Sequence, residues 1–332
     1  MLKEKTLSHL KDRKNLLAFS GGADSTALFF LLIKHNIIFD IAIVNYGVRE
    51  QSKQEVAYAK ELCTLHNLTC HIHNAAEIKT NFEAKAREIR YDFFEELILK
   101  HGYENLLSAH HLGDRFEWML MQFCKGSGCA ELAGMRTLEQ RKNYKLIRPL
   151  LHLDKCELLI YLKHSSIKYF EDESNFYENI KRNSFRHNHS NPLLAEHLSG
   201  IKKSFEYLDE DRDSLIKEID VYSEDEFVYF KNFGDIRSSI YAIDKYLKSK
   251  LYMLSAKERE LLKGEKTVVV GRKFVISQNS DFIFMSPFVR EVVMPKKFKE
   301  ECRVLKIEPK LRPYLFKNDI VFQEIKKILI GS

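Results

Sequence analysis

The chain has 332 residues, of which 45% are hydrophobic and 30% charged, with a formal net charge of +6. This length exceeds one ordinary hydrophobic core and predicts two or three domains, and no apolar run is long enough to span a bilayer. The six cysteines contain no CxxC pair, which favours free thiols in a reducing cytoplasm over a disulfide framework or a zinc site. These features are typical of a globular cytoplasmic protein.

Apolar segments of strand and helix character alternate through the first third of the chain. Strands are predicted at 16–19, 38–45, 68–73 and 105–108, and helices at 26–36, 52–66 and 82–101. This βαβα order predicts an α/β fold with a parallel, Rossmann-like sheet covered by helices on both faces. Such sheets bind ligands at the carboxyl ends of their strands, and the polar motifs of this sequence fall there.

The segment SGGADS, residues 20–25, joins the first predicted strand to the helix 26–36. Glycines at a helix N-terminus expose backbone N–H groups that suit a phosphate. The segment is neither a Walker A loop nor a GxGxxG fingerprint. The hydroxyls of Ser20 and Ser25 instead suggest donors for a pyrophosphate, and Asp24 a ligand for Mg²⁺. The segment resembles the loop of the N-type ATP pyrophosphatases; an incidental capped turn is the structural alternative.

Two further features point to a nucleotide pocket beside this loop. In VNYGVRE, residues 44–50, Asn45 and Arg49 flank a glycine and suit the adenine or ribose, although an exposed loop has the same composition. In the helix 82–101, Arg90 falls at the edge of the apolar stripe. An arginine at that edge either reaches to water or pairs with an anion such as a nucleotide phosphate.

A third polar cluster follows the fourth predicted strand, in SAHHLGDRFEW, residues 108–118. Asp114 is placed to share Mg²⁺ with Asp24, and His110 to contact a phosphate or to carry a proton. Surface histidines and a helix-capping Asp114 are the structural alternative.

The remaining chain divides by composition. The segment 170–186 is polar, with few core positions, and is predicted to reach back over the site. A helical region with a strongly acidic stretch follows, and the last part is a small α+β module with a basic tail. Such charge runs are expected on any two solvent-exposed surfaces of opposite sign. The alternative is that the basic tail binds a polyanion. The predicted domains are 1–190, 191–263 and 264–332.

Taken in order, several motifs resemble those of the bacterial tRNA(Ile)-lysidine synthetases of the PP-loop superfamily. They are SGGADS, VNYGVR, AREIRY, AHHLGDRFE, GSGCAELAGM, IRPLL, DESN and KRNSFR, spread over roughly residues 14–190. The resemblance implies a two-step reaction on cytidine 34 of a tRNA(Ile) with a CAU anticodon. ATP adenylates O2 of the cytosine and releases pyrophosphate, and the amine of free L-lysine then attacks C2 and expels AMP, which leaves lysidine.

The resemblance also implies roles for individual residues of this sequence. Those implied to bind ATP are Ser20, Gly21, Gly22, Ala23, Asp24, Ser25, Asn45 and Arg49. Those implied to act in catalysis are Asp24 and Asp114 with Mg²⁺, His110, Arg90 and Arg182 at the nucleotide or intermediate, and Asp172 near the lysine or the target base. Asp114 and His110 both qualify as acceptor of the lysine proton. The basic C-terminal module is implied to hold the tRNA, and a monomer and a homodimer both stay open.

Four positions depart from the family's usual pattern. Gly113 stands where a second aspartate is usual, Trp118 where threonine is usual, Tyr46 where histidine is common, and Glu173 where proline is usual. The missing carboxylate motivates one alternative, a nucleotide- and tRNA-binding protein with impaired catalysis. A second alternative, a tRNA-base thiolase of the same superfamily, typically needs a CxxC pair, which this sequence lacks.

Overall fold

The computed structural model describes residues 1–47, 51–78, 80–171, 181–290 and 292–331, without the side chains of residues 181, 182 and 331. The chain separates into two compact units, residues 1–124 with 131–207 and residues 125–130 with 208–332. Each unit has its own sheet and its own hydrophobic core.

The first unit is built on a six-stranded sheet. Its strands are β1 (Asn15–Ala18), β2 (Phe39–Asn45), β3 (Cys70–Asn74), β4 (Asn105–Leu107), β5 (Leu138–Gln140) and β6 (Lys145–Ile147). They lie in the order β3-β2-β1-β4-β6-β5, and every pairing is parallel except that of the edge strand β5 with β6.

Nine helices precede or follow these strands in the described part of the chain up to residue 215. They are α1 (Glu4–Leu10), α2 (Ala23–Lys34), α3 (Gln51–His66), α4 (Phe82–His101), α5 (Leu112–Phe123), α6 (Cys129–Leu132), α7 (Lys155–His164), α8 (Lys181–Phe185) and α9 (Asn191–Leu215). A π-helical turn at Arg186–Ser190 separates α8 from α9.

Both faces of the parallel sheet are buried. Leu17 of β1 and Leu107 of β4 belong to a core cluster that includes residues of α2, α3 and α7. Leu16 and Leu106, one position earlier, belong to a second cluster with α4. Side chains alternate between the faces of a strand, so strands buried on both faces read as continuous apolar runs in the sequence. The polar side chains of β1 and β4 are therefore confined to the ends of these strands.

At the amino edge, two buried asparagines join the central strands. The amide nitrogen Nδ2 of Asn15, the first residue of β1, donates to the carbonyls of Leu10 and Ile38 at 2.9 and 2.8 Å. Nδ2 of Asn105, the first residue of β4, donates to Asn15 Oδ1 at 2.8 Å and to the His9 carbonyl at 3.0 Å. These bonds connect the first residues of β1 and β4 to each other, to α1 and to the residue before β2.

A second polar network lies at the same edge. The Asp40 carboxylate accepts from the Thr69 amide at 2.7 Å and from the Tyr103 hydroxyl at 2.7 Å. Nε2 of His71 lies 2.8 Å from that hydroxyl. Burial, with the Asp40 carboxylate as acceptor, raises the pKa of Tyr103, whereas burial lowers the pKa of His71.

The second unit has an antiparallel sheet. Its strands are β7 (Tyr222–Glu224), β8 (Phe227–Lys231), β9 (Thr267–Val270), β10 (Phe274–Gln278) and β11 (Phe282–Pro287), in the order β7-β8-β11-β10-β9. Its helices are α10 (Ile236–Ser249), α11 (Ala256–Gly264), α12 (Lys296–Val304), α13 (Arg312–Lys317) and α14 (Asp319–Gly331). Ile283 and Met285 of β11 pack with α10 and α11, and Phe282 and Phe284 pack with α12, α13 and α14.

The predicted α/β class, with a parallel sheet followed by a helical region and a small α+β module, is confirmed. The predicted helical region 191–263 also supplies β7 and β8, whose aromatic residues lie within an acidic stretch that masks their strand character. The division into three functional domains at 190 and 263 stays a prediction. All six cysteines are free thiols, and none of the described helices has the length and apolarity needed to cross a membrane.

Candidate active site

The predicted motifs meet at the carboxyl edge of the sheet, between β1 and β4. From β1 the chain moves outward to β2 and β3, and then returns to the other side of β1 to form β4. Where the strand order reverses in this way, the two following loops diverge and leave a crevice above the sheet. The loop 20–25 follows β1, and residues 108–111 follow β4.

The loop 20–25 depends on glycine at its second position. Gly21 has a φ of +78°, and a Cβ there would lie 3.3 Å from Cγ of Glu55 and 3.4 Å from Cδ2 of Phe170. The Phe170 amide donates to the Gly21 carbonyl at 3.0 Å, which ties the chain after α7 to the loop. Gly22 is the N-cap of α2, so the helix begins at Ala23, earlier than predicted.

The hydroxyls of the loop hold its shape. Oγ of Ser20 and Oγ of Ser25 lie 3.1 Å apart, and the Ser20 amide donates to Oγ of Ser25 at 3.2 Å. Ser25 Oγ also donates to the Gly22 carbonyl at 3.1 Å. Gly22, the N-cap of α2, has no side chain to accept from the first-turn amides, so these amides and the helix dipole can act on an anion.

Asp24 lies in the first turn of α2 with an unusual environment. Its Oδ1 is buried and has no hydrogen-bond partner among the described residues. Its Oδ2 lies 3.5 Å from Nζ of Lys155 and 3.8 Å from Nε2 of His111. Most buried polar atoms are hydrogen-bonded, so an exception calls for an explanation such as an absent ion or ligand.

His111 and Asp114 form the start of α5. Nδ1 of His111 accepts a hydrogen bond from the Gly113 amide at 3.0 Å, and Oδ2 of Asp114 accepts from the His111 amide at 3.1 Å, which together make a capping box. The imidazole is buried, and its Nε2 lies 3.6 Å from Oδ2 of Asp114. The structure thus brings Asp24 and Asp114, both predicted for the site, to the same imidazole ring.

Arg186 links Asp114 to a second acidic residue. Its Nη2 lies 3.4 Å from Oδ1 of Asp114, and its Nε donates at 2.9 Å to Oε2 of Glu117, whose side chain is 1% exposed. Arg186 belongs to the polar segment 170–186, which the sequence predicts to reach back over the site.

Lys155 is a site residue that sequence reasoning missed. It is the first residue of α7, behind a capping box formed by Asp154 and Glu157. The spacing of aspartate and glutamate in LDKCE is the signal that places Lys155 at a helix N-terminus. The position of α7 beside α2 is a tertiary feature that this local pattern does not contain.

The other predicted residues have different neighbours. Nδ1 of His110 lies 2.9 Å from the Ser108 hydroxyl, so of the two adjacent histidines it is His111 that lies between the carboxylates. Asn45, at the end of β2, donates to Oδ1 of Asn74 at 3.0 Å. Arg49 and Asp172 lie outside the described residues, as does the side chain of Arg182 in α8.

Arg90 of α4 lies beside Tyr46, the residue that directly follows β2. Its Nε donates to the Ala86 carbonyl at 3.3 Å, and the Tyr46 hydroxyl donates to the same carbonyl at 2.8 Å. Burial raises the pKa of Tyr46, and the charge of Arg90 opposes that shift. Arg90 is thus at the carboxyl edge, in the region predicted for the adenine or ribose.

The donor set around Asp24 fits Mg²⁺. This ion prefers carboxylate oxygens, and it commonly takes one or two from the protein and the rest from phosphates and water. Asp24 Oδ1 is a buried carboxylate oxygen without a partner in the described ranges, and Asp114 supplies a second carboxylate nearby through the shared His111 ring.

Comparison with known proteins identifies a domain family and several relatives that match this chain. Residues 2–193 match the model of the PP-loop domain family. The chain is 46% identical over 308 residues to the tRNA(Ile)-lysidine synthase of Wolinella succinogenes, covering 92% of this chain and 94% of that relative. It is 41% identical over 312 residues to the enzyme of that name from Helicobacter pylori, covering 93% and 91%.

A third relative of the same name, from Campylobacter jejuni, is 42% identical over 326 residues, which cover 96% of this chain and 97% of the relative. Among solved structures, the U34-tRNA thiolase NcsA from Methanococcus maripaludis with its 4Fe-4S cluster matches with a TM-score of 0.53 and 20% identity. That match covers 66% of this chain and 78% of the thiolase, and it shows a shared fold only.

Proposed function

Because this chain belongs to the tRNA(Ile)-lysidine synthase family of ATP-using PP-loop enzymes, we propose that it joins free L-lysine to C2 of cytidine 34 in a tRNA(Ile) with a CAU anticodon. The products are lysidine, AMP and pyrophosphate. The observation that carries the proposal is the convergence of Asp24 and Asp114 on His111 at the reversal point of the sheet.

In the first step, O2 of the cytosine attacks the α-phosphorus of ATP, and pyrophosphate leaves. We assign the first-turn amides of α2 and the ammonium of Lys155 to stabilise the negative charge that develops on the leaving pyrophosphate. When bound, Mg²⁺ held by Asp24 and Asp114 supplies further neutralisation of the phosphates. Adenylation converts a poor leaving group, the exocyclic oxygen O2 of the cytosine, into a good one.

In the second step, the amine of lysine attacks C2, and AMP leaves with the oxygen that was O2 of the cytosine. A side-chain amine has a pKa of about 10.4 in water, so a base must take a proton from the nucleophile. We assign this role to the Asp114 carboxylate or the His110 imidazole, both after β4. Asp172 is proposed to meet the lysine or the target base, as the resemblance implies.

The tRNA is proposed to present cytidine 34 as an unstacked base, because the reacting atoms O2 and C2 are not accessible in a stacked anticodon. The basic residues of the tail 296–327 lie on or between α12, α13 and α14 in the second unit. We assign them contacts to the phosphates of the tRNA, which makes binding weaken as salt increases.

The decisive experiment measures incorporation of labelled lysine into a tRNA(Ile) transcript with a CAU anticodon, in the presence of ATP and Mg²⁺. A transcript with C34→U and a methionine tRNA with the same anticodon are the controls. We expect ATP-dependent incorporation into the C34 isoleucine transcript only, with release of AMP.

The same assay with Asp24→Ala and Asp114→Ala assigns the residues, and we expect both variants to lose incorporation. If tRNA binds and no AMP forms, the lysidine reaction is wrong for this chain. ATP–pyrophosphate exchange in the presence of tRNA then separates an impaired enzyme, which shows none, from an adenylating enzyme that uses another nucleophile.

A further inference from the structure

His111 is held in one tautomer by the backbone of its own helix. Its Nδ1 accepts a hydrogen bond from the Gly113 amide at 3.0 Å, so in the neutral ring the proton resides on Nε2. The ring is buried, with its side chain 8% exposed, which restricts its rotation. The N–H at Nε2 therefore has a fixed direction, set by the start of α5.

Nε2 lies within ion-pair distance of two carboxylates, at separations longer than a hydrogen bond. Nε2 lies 3.8 Å from Oδ2 of Asp24 and 3.6 Å from Oδ2 of Asp114. An N–H dipole that lies near both carboxylates attracts both charges and so favours this arrangement of the two side chains. The Oδ2 atoms face the ring, while Oδ1 of Asp24 is buried and has no hydrogen-bond partner in the described residues.

Gly113 provides the space that the ring occupies. A Cβ at this position would lie 2.8 Å from Cε1 and 3.1 Å from Nδ1 of His111. The first distance is shorter than real Cβ contacts, so the ring would have to move. Alanine at 113 therefore requires the His111 ring to shift from its observed place, and we expect this shift to alter the contacts of Nδ1 and Nε2.

We propose that His111 is a positioning residue that holds Asp24 and Asp114 in their catalytic arrangement through its Nε2–H, and that Gly113 is the residue that makes this position of the ring possible. The inference rests on the proposed function only in that the two carboxylates serve ATP. Neither His111 nor Gly113 touches the reacting atoms; both act through the carboxylates.

The first test reads the tautomer directly and does not depend on activity. Long-range proton–nitrogen spectra of protein with ¹⁵N-labelled histidine are recorded at pH 8, and His111 is identified by the signal missing in His111→Asn. We expect a protonated Nε2 and an unprotonated Nδ1 in a single form, and a shift of both signals in Gly113→Ala. A protonated Nδ1, or spectra identical in Gly113→Ala, overturns the proposal.

The second test is a double-mutant cycle on ATP–pyrophosphate exchange. Gly113→Ala is expected to lower kcat on the order of 10²-fold with little change in the KM for ATP, because small misplacements of catalytic groups have effects of this size. Gly200→Ala in α9 is the matched control, since a Cβ there meets nothing within 4 Å; its kcat is expected to stay unchanged.

His111→Asn completes the cycle, because asparagine keeps a capping acceptor for the helix but lacks the Nε2–H. We expect an unchanged Tm and a fall in kcat similar to that of Gly113→Ala. In the double variant, Gly113→Ala is expected to add no more than about a twofold loss, because the ring that it displaces is already gone. Full additivity, or wild-type kcat in His111→Asn, contradicts the proposal. If the spectra hold and no variant or wild-type protein shows exchange, the proposed function fails and the fixed tautomer stands.

Discussion

The two edges of the parallel sheet carry similar polar side chains in opposite circumstances. At the amino edge, both Asp40 oxygens accept hydrogen bonds, and the amide of Asn15 donates to main-chain carbonyls. At the carboxyl edge, Asp24 has a buried oxygen without a partner in the described chain. Buried polar groups with partners thus stabilise the fold at the amino edge, whereas the unpartnered Asp24 oxygen at the carboxyl edge costs stability, which supports the proposed ligand site there.

The same substitution, made at each edge in turn, is expected to have opposite effects on activity and stability. Asp24→Asn is expected to reduce ATP–pyrophosphate exchange on the order of 10²–10³-fold, because it removes a carboxylate charge proposed to hold the Mg²⁺ that neutralises the phosphates. Its free energy of unfolding is expected to stay the same or rise, because a buried carboxylate oxygen without a partner is unfavourable. Exchange assays and urea titrations measure the two effects.

Asp40→Asn is the matched control at the amino edge. It is expected to lower the free energy of unfolding by about 1–3 kcal/mol, because one of the two donors loses its charged acceptor. The rate of ATP–pyrophosphate exchange per folded molecule is expected to stay at the wild-type value. Loss of exchange in Asp40→Asn with unchanged stability would remove the distinction between the two edges.

The next effect concerns the asparagine at the start of β1. Asn15→Ala is expected to lower the free energy of unfolding by about 2 kcal/mol, because it removes a buried donor from the carbonyls of Leu10 and Ile38. The KM for ATP is expected to stay within about twofold of wild type, since functional defects away from the site follow stability. Urea unfolding followed by circular dichroism measures the change, and a KM that rises in folded protein contradicts it.

A smaller effect is expected for the ammonium at the carboxyl edge. Lys155→Met is expected to raise the KM for ATP about tenfold, which corresponds to the loss of one charged contact to phosphate. Lys163→Met, an exposed position in the last turn of the same helix, is the control. Equal KM values for the two variants would place Lys155 outside the nucleotide site.

The smallest effect is a pH dependence of stability at the amino edge. Burial lowers the pKa of His71, so the unfolded chain, titrating near pH 6.5, binds this proton more readily than the folded chain. Stability is therefore complete above about pH 6.5 and falls as the pH drops below that value toward the folded pKa.

The measurement is the free energy of unfolding between pH 5 and 7.5 for wild type and His71→Gln. The slope with pH is expected to be smaller in the variant. It is not expected to vanish, because burial also lowers the pKa of His152. Equal slopes in the two proteins would show that His71 does not contribute to the pH dependence of the free energy of unfolding.

Much of the first sheet follows from sequence pattern, because strands buried on both faces appear as short apolar runs between amphipathic helices. The meeting of Asp24 and Asp114 follows from the same pattern, since both come after strands whose carboxyl ends share one edge. The strands β7 and β8 do not follow, because the acidic residues around them hide their alternation.

The sequence does not show which of the two adjacent histidines lies between the carboxylates of Asp24 and Asp114. His110 and His111 are chemically identical, and their side chains diverge because His111 is the extended N-cap of α5, with a φ of −119°. That conformation depends on where the helix begins and on the absence of a side chain at Gly113. The role of Lys155 was likewise hidden, because it depends on the packing of α7 beside α2, which brings together residues distant in the chain.

The asparagine bond between β1 and β4 also has a consequence for how the chain can be altered. β4 has three residues and β1 has four, so only about 10–14 Å separate this bond from the loops at the other edge. A slip of one residue between these strands would move one carboxylate past the other by about 3.3 Å and turn every side chain of the slipped strand to the opposite face. Asn15 and Asn105 mark the correct alignment, so a shortened or transplanted version of this site must carry them along with the residues that do the chemistry.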